Sequence, residues 1–279
     1  MAEATIEVAP LADAVGAELR GVDLAAPLPP ETLVRLRRIW LDAGVLVLPD
    51  QPLTSAAFLA FARALGEVSE YPFLRGLPDH PEITEVVKLE HETANFGGVW
   101  HADTTYLPRP PMATLLVARE TPPVGGDTLF ASQVAAYAAL PDALKRRLEG
   151  LRAVSSSAKA EVSRTREDRL RDAARSEDAQ VFEAAHPPVR THPETGRRAL
   201  FVNPAHTVRF EGMTEAESAP LLAELFAHQI RPQFICRVRW RPGTLAIWDN
   251  RQVLHFPLND YHGHRRVMHR ITLKGDAPV

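Results

Sequence analysis

The sequence is poor in cysteine and has no long hydrophobic run. Cys236 is the only cysteine among 279 residues. A single thiol excludes an internal disulfide framework, a cysteine-rich zinc knuckle and a bound iron–sulfur cluster. The longest apolar run, around residues 45–48, is far too short to cross a bilayer. We therefore expect no membrane partner, and any bound metal must be held by His, Asp or Glu.

A strong excess of one charge is also missing. The formal net charge is −3, and acidic and basic residues are interspersed along most of the chain. Because no broad basic field is available to neutralise a phosphate backbone, a nucleic-acid partner is not expected. The first ten residues, MAEATIEVAP, lack the basic start and apolar core of a secretion signal, which favours a cytoplasmic location.

The composition is otherwise that of an ordinary globular protein. Hydrophobic residues make up 45% of the chain and charged residues 24%, so disorder and fibrous folds are not expected. A chain of this length can bury a substantial core. We find no internal repeat and no clear linker, which predicts a single domain over residues 1–279.

The first third of the chain has an alternating strand and helix pattern. Pro30 is suited to open a helix, apolar residues recur at helical spacing behind it, and Gly44 is suited to close it. The run VLVL that follows Gly44 predicts a buried strand. A second helix is predicted to begin at Thr54 or Ser55 and to end at Gly66.

From residue 83 onward, short apolar runs are separated by turn residues, a texture typical of an antiparallel sandwich or barrel. Helical patterns interrupt it at 131–149 and after Thr214, which forms a capping box with Glu217. The segment 155–188 is polar and charge-dense, and we interpret it as a solvated surface insertion. A mobile lid over an active site is the alternative.

A metal site is indicated by the stretch GGVWHADTTYLPRPP, residues 97–111. On an extended strand, His101 and Asp103 project to the same side and are close enough to bind one ion. The His-x-Asp pattern alone is common. His255, which follows a strongly apolar strand in WDNRQVLHFPLNDY, is the third candidate ligand.

These three residues together favour iron. Two imidazoles and one carboxylate on one face of an octahedral ion leave three positions open, an arrangement associated with non-haem Fe(II) oxygenases. Zinc more often has a closed tetrahedral shell or a single open position. Among the other histidines, we interpret four as hydrated loop residues, namely His80, His91, His186 and His192.

Basic residues crowd the predicted strand at RRVMHRITL. Strand alternation places Arg266 and Arg270 on one face and Arg265 on the other. If the first face points inward, two buried guanidinium groups require anions, because their donors suit bidentate carboxylate or sulfonate pairing. The opposite choice leaves Arg265 inward, and an exposed basic edge strand is a further alternative.

Several long motifs resemble a known family. These are GAELRGVDL, GVLVLPDQPLT, WHADTTYLPRPP, VGGDTLFAS, LAIWDNRQVLHFPLNDY and RRVMHRITLKGD. Nearly the whole chain is similar to the Fe(II)/2-oxoglutarate-dependent dioxygenases of the taurine dioxygenase (TauD/TfdA) family. The resemblance implies a mainly β fold with surrounding helices: a cupin-like double-stranded β-helix, or jelly roll, preceded by N-terminal α/β elements and interrupted by the helical or lid insertion.

The resemblance also implies roles for individual residues. The metal ligands match His101, Asp103 and His255. The arginine that binds the distal carboxylate of 2-oxoglutarate matches Arg266, and a helping hydroxyl matches Thr128 in GGDT. Fe(II), 2-oxoglutarate and dioxygen are therefore the expected cofactor and cosubstrates.

The substrate site is expected to depart from that of the taurine enzyme. Arg270 matches the arginine that binds the substrate's anionic group, whereas Tyr71, His206 and Ser157 stand at pocket positions that differ. Asn95 also faces the substrate on this interpretation, with an ordinary loop-capping role as the alternative. A differently shaped or larger anionic substrate is therefore expected in place of taurine.

The implied reaction converts 2-oxoglutarate and dioxygen to succinate and carbon dioxide while the substrate is oxidised. Trp100, Trp248 and Phe256 are candidates for a dry wall around the site. Two other functions stay open, a non-catalytic jelly-roll protein that binds an organic anion and a zinc hydrolase on the same ligands. Members of the family are often oligomers, so a homo-oligomer is a further expectation.

Overall fold

The computed structural model describes residues 6–70, 76–95, 97–159 and 181–279. The strands in chain order are β1 (Glu7–Pro10), β2 (Ala17–Arg20), β3 (Val45–Leu48), β4 (Val68–Ser69), β5 (Gly76–Leu77), β6 (His80–Lys88), β7 (Ala113–Glu120), β8 (Thr128–Ser132), β9 (Ala153–Ser156), β10 (Glu183–His186), β11 (Val189–Thr191), β12 (Arg198–Leu200), β13 (Thr207–Phe210), β14 (Ile235–Val238), β15 (Leu245–Asp249), β16 (Val253–Pro257) and β17 (Arg266–Leu273). The helices are α1 (Pro30–Ala43), α2 (Ser55–Leu65), α3 (Gln133–Ala138), α4 (Asp142–Leu148) and α5 (Glu215–Gln229), with single 3₁₀ turns at Ser157–Lys159 and Pro232–Phe234. In these ranges, no helix has the length and hydropathy needed to cross a membrane.

The two N-terminal helices confirm the predicted boundaries. Gly44 ends α1 with a left-handed φ of 73°, and its N–H donates to the carbonyl of Trp40. At the start of α2, the Thr54 side chain accepts a hydrogen bond from the backbone N–H of Ala57, so Thr54 is the cap. The local capping chemistry therefore positions both helices where the sequence predicts them.

Two sheets form the body of the molecule. The larger has the order β1-β2-β3-β15-β7-β17-β6-β5, with β4 also paired to β17, and the smaller has the order β14-β8-β16. Only the β2–β3 pairing within them is parallel. A buried cluster joins the two sheets: Val45, Val47, Leu116 and Met268 from the larger pack with Phe130, Cys236 and Val253 from the smaller side. This is the sandwich of a jelly roll.

The centre of the larger sheet is buried on both faces. Along β15, Ala246 and Trp248 face the sandwich interior, whereas Leu245 and Ile247 face a second cluster that contains residues of α1 and α2. The N-terminal helices thus cover the outer face of the sheet. This double burial explains why β15 reads as an almost continuous apolar run.

The alternation along β17 decides which arginines point inward. Met268 belongs to the interior cluster and Ile271 to the helix-side cluster. Arg266 and Arg270 share the face of Met268 and are buried, whereas Arg265 is exposed. The prediction that places Arg266 and Arg270 inward is confirmed, and the exposed edge-strand alternative is wrong because β17 lies between β7 and β6.

Helices α3, α4 and α5 cover a third cluster beside the sandwich, packing on β9, β12 and β13. The capping box of Thr214 and Glu217 at the start of α5 is present, as predicted. The predicted helical region at 131–149 consists of two short helices, because Pro141 stands at the cap position between them.

The ends of the predicted insertion 155–188 are regular strands. Ser156 of β9 pairs with Glu183 of β10, and Ser157 extends the ladder through two hydrogen bonds of 2.9 Å with the backbone of Phe182. These ends are therefore ordered strands, and β10 is exposed or half-buried except at His186. Residues 160–180 lie outside the described residues, so the two interpretations of 155–188, a solvated surface insertion and a mobile lid, stay predictions.

Candidate metal centre

His101 and His255 come together through their backbones. They exchange two backbone hydrogen bonds of 3.1 and 2.8 Å, and their ring centroids lie 4.0 Å apart. Oδ1 of Asp103 is 3.8 Å from Nε2 of each imidazole, and all three residues are buried. Asp103 lies in a turn in which Thr104 has a φ of 42°. The predicted convergence of the three side chains is confirmed, but the predicted strand is wrong. A tight turn brings the Asp103 carboxylate next to the paired His101 and His255.

The His101 ring is held in one orientation. Its Nδ1 donates to the carbonyl of Val99 at 2.7 Å, which leaves Nε2 with a lone pair that faces Asp103 and His255. Gly97 has a φ of 79°, and a Cβ at that position would lie 2.7 Å from Cε1 of His101. The first glycine of the motif is thus required by the ring beside it.

The second oxygen of Asp103 is bound by protein donors. Oδ2 accepts hydrogen bonds from the Thr114 hydroxyl at 2.6 Å and from Nδ2 of Asn250 at 3.2 Å, and a guanidinium nitrogen of Arg270 lies 3.0 Å away. Sequence analysis does not identify Thr114 or Asn250. Thr114 stands in an ordinary strand and Asn250 in an ordinary turn, so only tertiary proximity shows their role.

Electrostatics keeps the three side chains in metal-binding protonation states. Burial alone raises the pKa of Asp103, but nearby positive charge, that of Arg270 above all, outweighs it, and the pKa lies below its usual range. Burial lowers the pKa of His101 and of His255, since Asp103 offsets it only in part. Two neutral imidazoles and one carboxylate are the forms that bind a metal ion.

The donor atoms also fit a single ion. One atom from each of His101, Asp103 and His255 lies within 4.8 Å of the other two, and no other group of three or more such residues occurs in the described ranges. Oxygen and nitrogen donors with no cysteine suit a divalent ion such as iron. The residues present therefore fit the predicted metal.

A cavity opens beside the two imidazoles. Val86, Leu116 and Trp248 supply an apolar wall, and Thr128, Arg266 and Arg270 supply its polar groups. The predicted cosubstrate residues Arg266 and Thr128 are thus brought together next to the predicted ligands.

Arg266 is the least satisfied cation in this cavity. It is buried, and its Nε and one terminal nitrogen have no hydrogen-bond partner among the described residues. Burial lowers its pKa, yet a guanidinium remains charged in proteins. Thr128 accepts a 3.0 Å hydrogen bond from the indole of Trp240, the ring that lies 5.7 Å from the Arg266 guanidinium. A buried charge with free donors is costly unless an anion binds it.

The other predicted substrate residues differ in their surroundings. Nδ2 of Asn95 donates to the carbonyls of Pro257 and Leu258, at 3.1 and 3.2 Å, and so fastens its loop to the end of β16. This contact supports the loop-capping alternative. Ser157 belongs to the β9–β10 ladder and does not line the cavity. Tyr71 lies outside the described residues.

His206 packs against the metal site from outside the cavity. Its ring lies edge-on to His101, with 6.1 Å between centroids, and its Nδ1 is 3.0 Å from the hydroxyl of Thr105. Burial lowers the pKa of His206 to about 3, so the ring is neutral at ordinary pH. The predicted residue is near the centre, although it does not line the cavity itself.

Two histidines predicted to be hydrated are buried. Nε2 of His186 donates to the carbonyls of Thr105 and Leu107 at 2.9 and 3.0 Å. Nε2 of His192 lies 2.9 Å from Oδ2 of Asp249, and both side chains are fully buried. The hydration interpretation is wrong for both. His186 lies on β10, and His192 does lie in the loop after β11, but this loop packs against the turn that follows β15.

The predicted dry wall is also only partly correct. Trp100 and Phe256 stack on each other, with 5.5 Å between centroids and 24° between planes. Trp100 directly precedes His101 and Phe256 directly follows His255. Because successive side chains of an extended backbone point to opposite sides, both aromatic rings point away from the candidate metal site. Only Trp248 of the three lines the cavity.

A jelly-roll sandwich with two imidazoles and one carboxylate around a single point defines the class of mononuclear non-haem metal oxygenases. The comparison with protein families agrees and is more specific. The chain belongs to the family described as taurine catabolism dioxygenase TauD, TfdA family, which matches residues 7–272.

Curated relatives extend this match over nearly the full chain. An alpha-ketoglutarate-dependent sulfate ester dioxygenase of Pseudomonas putida is 33% identical, with 98% of this chain and 91% of the relative covered. A (S)-phenoxypropionate/alpha-ketoglutarate-dioxygenase of Sphingobium herbicidovorans is 34% identical, with 97% and 95% covered. The family and the dioxygenase class predicted from the sequence are confirmed.

Solved structures confirm the fold. A taurine dioxygenase from Burkholderia xenovorans superimposes with a TM-score of 0.83 at 34% identity, covering 98% of this chain and 92% of that chain. The structure of AAD-2 in complex with Mn(II) and N-oxalylglycine gives a TM-score of 0.80 at 27% identity and covers 98% of both chains.

Proposed function

We propose that this protein is an Fe(II)- and 2-oxoglutarate-dependent dioxygenase that oxidises a small organic anion and releases succinate and carbon dioxide. The observation that carries the proposal is one cavity lined by His101, His255 and the buried guanidinium of Arg266, with Asp103 grouped with the two imidazoles. The names of the relatives support it, since they combine alpha-ketoglutarate with sulfate ester or phenoxypropionate substrates.

The bound iron and 2-oxoglutarate supply the oxidative chemistry, and the protein supplies binding, orientation and exclusion of water. His101, Asp103 and His255 hold the ion. Arg266, beside Thr128, binds the distal carboxylate of 2-oxoglutarate, because a guanidinium with free N–H groups suits bidentate pairing with a carboxylate. N-Oxalylglycine, present in one structural neighbour, has two carboxylates spaced like those of 2-oxoglutarate.

Arg270 is the proposed anchor for the anionic group of the prime substrate. It lines the same cavity and also contacts Asp103, so it connects the substrate charge to the metal-ligand carboxylate. Substrates carrying a sulfonate, sulfate ester or carboxylate fit this chemistry. Hydroxylation at a carbon bonded to sulfur or oxygen would lead to cleavage of that bond, whereas hydroxylation elsewhere would leave an alcohol.

The substrate roles of the four remaining predicted residues also belong to this proposal. They are Asn95, Tyr71, His206 and Ser157. His206 would act by packing on His101, and Asn95 by holding the loop ahead of it. A cytoplasmic setting and a homo-oligomer stay predictions.

The direct test is a succinate-release assay with Fe(II), 2-oxoglutarate and air, over a panel of sulfonates, sulfate esters and aryloxyalkanoates, with products identified by mass. Succinate that requires iron, oxygen, 2-oxoglutarate and one substrate class supports the proposal. Anaerobic turnover with zinc and no need for 2-oxoglutarate would indicate a hydrolase. Binding of anions without succinate from any substrate would indicate a non-catalytic protein.

A further inference from the structure

The two oxygens of the Asp103 carboxylate have different surroundings. Oδ1 faces both imidazole Nε2 atoms at 3.8 Å. Oδ2 points the other way, where Thr114, Asn250 and Arg270 approach it at 2.6, 3.2 and 3.0 Å. One oxygen is therefore directed at the ion site, and the other is bound by the protein.

We propose that Thr114 and Asn250 are positioning residues that keep Oδ2 of Asp103 out of the metal coordination shell, so that the carboxylate binds through Oδ1 alone. The inference rests on the proposed function. A carboxylate can bind a divalent ion with one or both oxygens. Three protein donor atoms leave three octahedral positions open. A fourth donor atom would occupy a position that the chelating 2-oxoglutarate or dioxygen requires.

Thr114 provides the strongest of these contacts. Its hydroxyl donates to a charged oxygen at 2.6 Å, and the side chain is fully buried, so no bulk water competes for the bond. Thr114 lies on β7 between two partner strands, opposite Trp248 on β15 and Thr272 on β17. Because its backbone is held on both sides, the hydroxyl is a fixed donor.

Asn250 cannot turn its amide around without losing hydrogen bonds. Its Oδ1 accepts from the backbone N–H of Asp103 at 3.2 Å and from the indole of Trp248 at 3.1 Å. Both partners are donors only, so the amide NH₂ group must face the other way, toward Asp103 Oδ2 and the Thr114 hydroxyl. Asn250 therefore holds the backbone and the side chain of Asp103 together.

The turn that carries Asn250 is itself rigid. Asp249 accepts two hydrogen bonds of 2.8 Å from the guanidinium of Arg251 and contacts His192 at 2.9 Å. This turn also joins β15 to β16, the strand that carries His255. Surroundings of this kind orient a metal ligand, and substitution of such partners typically costs about 10- to 100-fold in metal affinity or activity.

The test is Thr114→Val, which removes the hydroxyl and keeps the side-chain shape, with Thr114→Ser as the variant that restores it. Thr272→Val is the matched control: Thr272 lies opposite Thr114 on the same face, is buried, and its hydroxyl has no hydrogen-bond partner in the described chain. Crystal structures with Mn(II) alone show how Asp103 binds the ion. Mn(II) affinity, kcat and the KM for 2-oxoglutarate complete the set.

In the wild type and in Thr272→Val, we expect Mn(II) to contact Oδ1 only. In Thr114→Val, we expect Oδ2 to enter the coordination shell and kcat to fall about 10- to 100-fold, with a much smaller change in the KM for 2-oxoglutarate. Thr114→Ser should recover most of the loss. Should Thr114→Val fail to fold, Asn250→Ala replaces it and should change the coordination in the same direction.

Oδ1-only binding and unchanged kcat in Thr114→Val would overturn the proposal. Equal losses in Thr114→Val and Thr272→Val would also overturn it, because they would assign the effect to packing. A wild-type protein that binds Mn(II) through Oδ1 alone but forms no succinate with any substrate would contradict the proposed function and leave the carboxylate arrangement supported.

Discussion

Two buried groups of charges, one at the turn between β15 and β16 and one in the cavity beside the imidazoles, differ in how completely they are paired. In the first, Arg251 donates to Asp249 at 2.8 Å and to Glu194 at 2.9 Å, while His192 contacts Asp249 from another side. In the second, Arg266 is buried, and two of its guanidinium nitrogens have no hydrogen-bond partner among the described residues. Buried charges are normally paired, so the first group is complete within the protein and the second requires a ligand.

The balance of charge supports the same distinction. Burial alone raises the pKa of Asp249, but Arg251 outweighs it and the pKa lies below its usual range. On the cavity side, Asp103 is the carboxylate that contacts Arg270, and Arg266 has no carboxylate partner in the described ranges. The cavity is therefore positive, which suits a dicarboxylate cosubstrate and an anionic substrate.

The largest expected effect is on the metal site. His101→Ala removes one of the three proposed ligand side chains, and we expect both succinate formation and Mn(II) binding to be lost. The control is His264→Ala, at an exposed histidine. Activity within a few-fold of wild type in His101→Ala would remove this residue from the site.

The fully paired group, which contains Arg251 and Asp249, should contribute to the free energy of unfolding. Arg251→Met leaves Asp249 buried without its main partner, so we expect the free energy of unfolding to fall by about 3–5 kcal/mol. Arg20→Met breaks an exposed pair with Glu18 and should cost at most about 1 kcal/mol. Chemical denaturation measures both. Equal small losses would show that the two groups of charges are less distinct than the structure indicates.

The incompletely paired group, which contains Arg266, should contribute to the affinity for 2-oxoglutarate. Arg266→Met should weaken 2-oxoglutarate binding by about 10- to 100-fold, because hydrogen bonds to a charged group contribute about 1.5–3 kcal/mol. The free energy of unfolding without ligand should not fall, because two nitrogens of this buried guanidinium have no acceptor in the described part of the chain. Arg265→Met is the control, since Arg265 is exposed near Glu120. Unchanged 2-oxoglutarate affinity in Arg266→Met would contradict the assigned role.

Local patterns predict much of the fold. Pro30 and Gly44 bound α1 because helix starts and ends depend on neighbouring residues. The period-2 alternation of β17 predicts that Arg266 and Arg270 share a face, since strand geometry is local. The choice of Asp103 with two histidines follows from donor chemistry. These features need little knowledge of the tertiary structure.

The remaining features depend on contacts between distant segments. Thr114 and Asn250 have no local signal, because their importance arises only where they meet Asp103. His192 resembles a loop residue, yet the fold buries it against Asp249, 57 positions away in the chain. The turn at Asp103 and the outward stacking of Trp100 likewise depend on the pairing of His101 with the distant His255.

A smaller effect concerns pH and the buried His186. Burial lowers the pKa of His186 from the ordinary 6.5. Just below pH 6.5, this residue is therefore protonated in the unfolded chain and neutral in the folded chain. Stability contributed by this residue is full above about pH 6.5 and is lost as pH falls toward the lowered folded-state pKa, by at most about 1.4 kcal/mol per pH unit. His186→Gln should reduce the fall in unfolding free energy between pH 6.5 and pH 5, whereas exposed His262→Gln should not. Identical slopes would show that His186 is protonated in the folded protein.

The measurement closest to the central claim is a calorimetric titration of the protein under anaerobic conditions, first with Fe(II) and then with 2-oxoglutarate. We expect one Fe(II) per chain and tight binding of 2-oxoglutarate only after the metal has bound, with both lost in His101→Ala. Equal binding of 2-oxoglutarate with and without Fe(II), or retention of Fe(II) by His101→Ala, would contradict a metal-centred cosubstrate site.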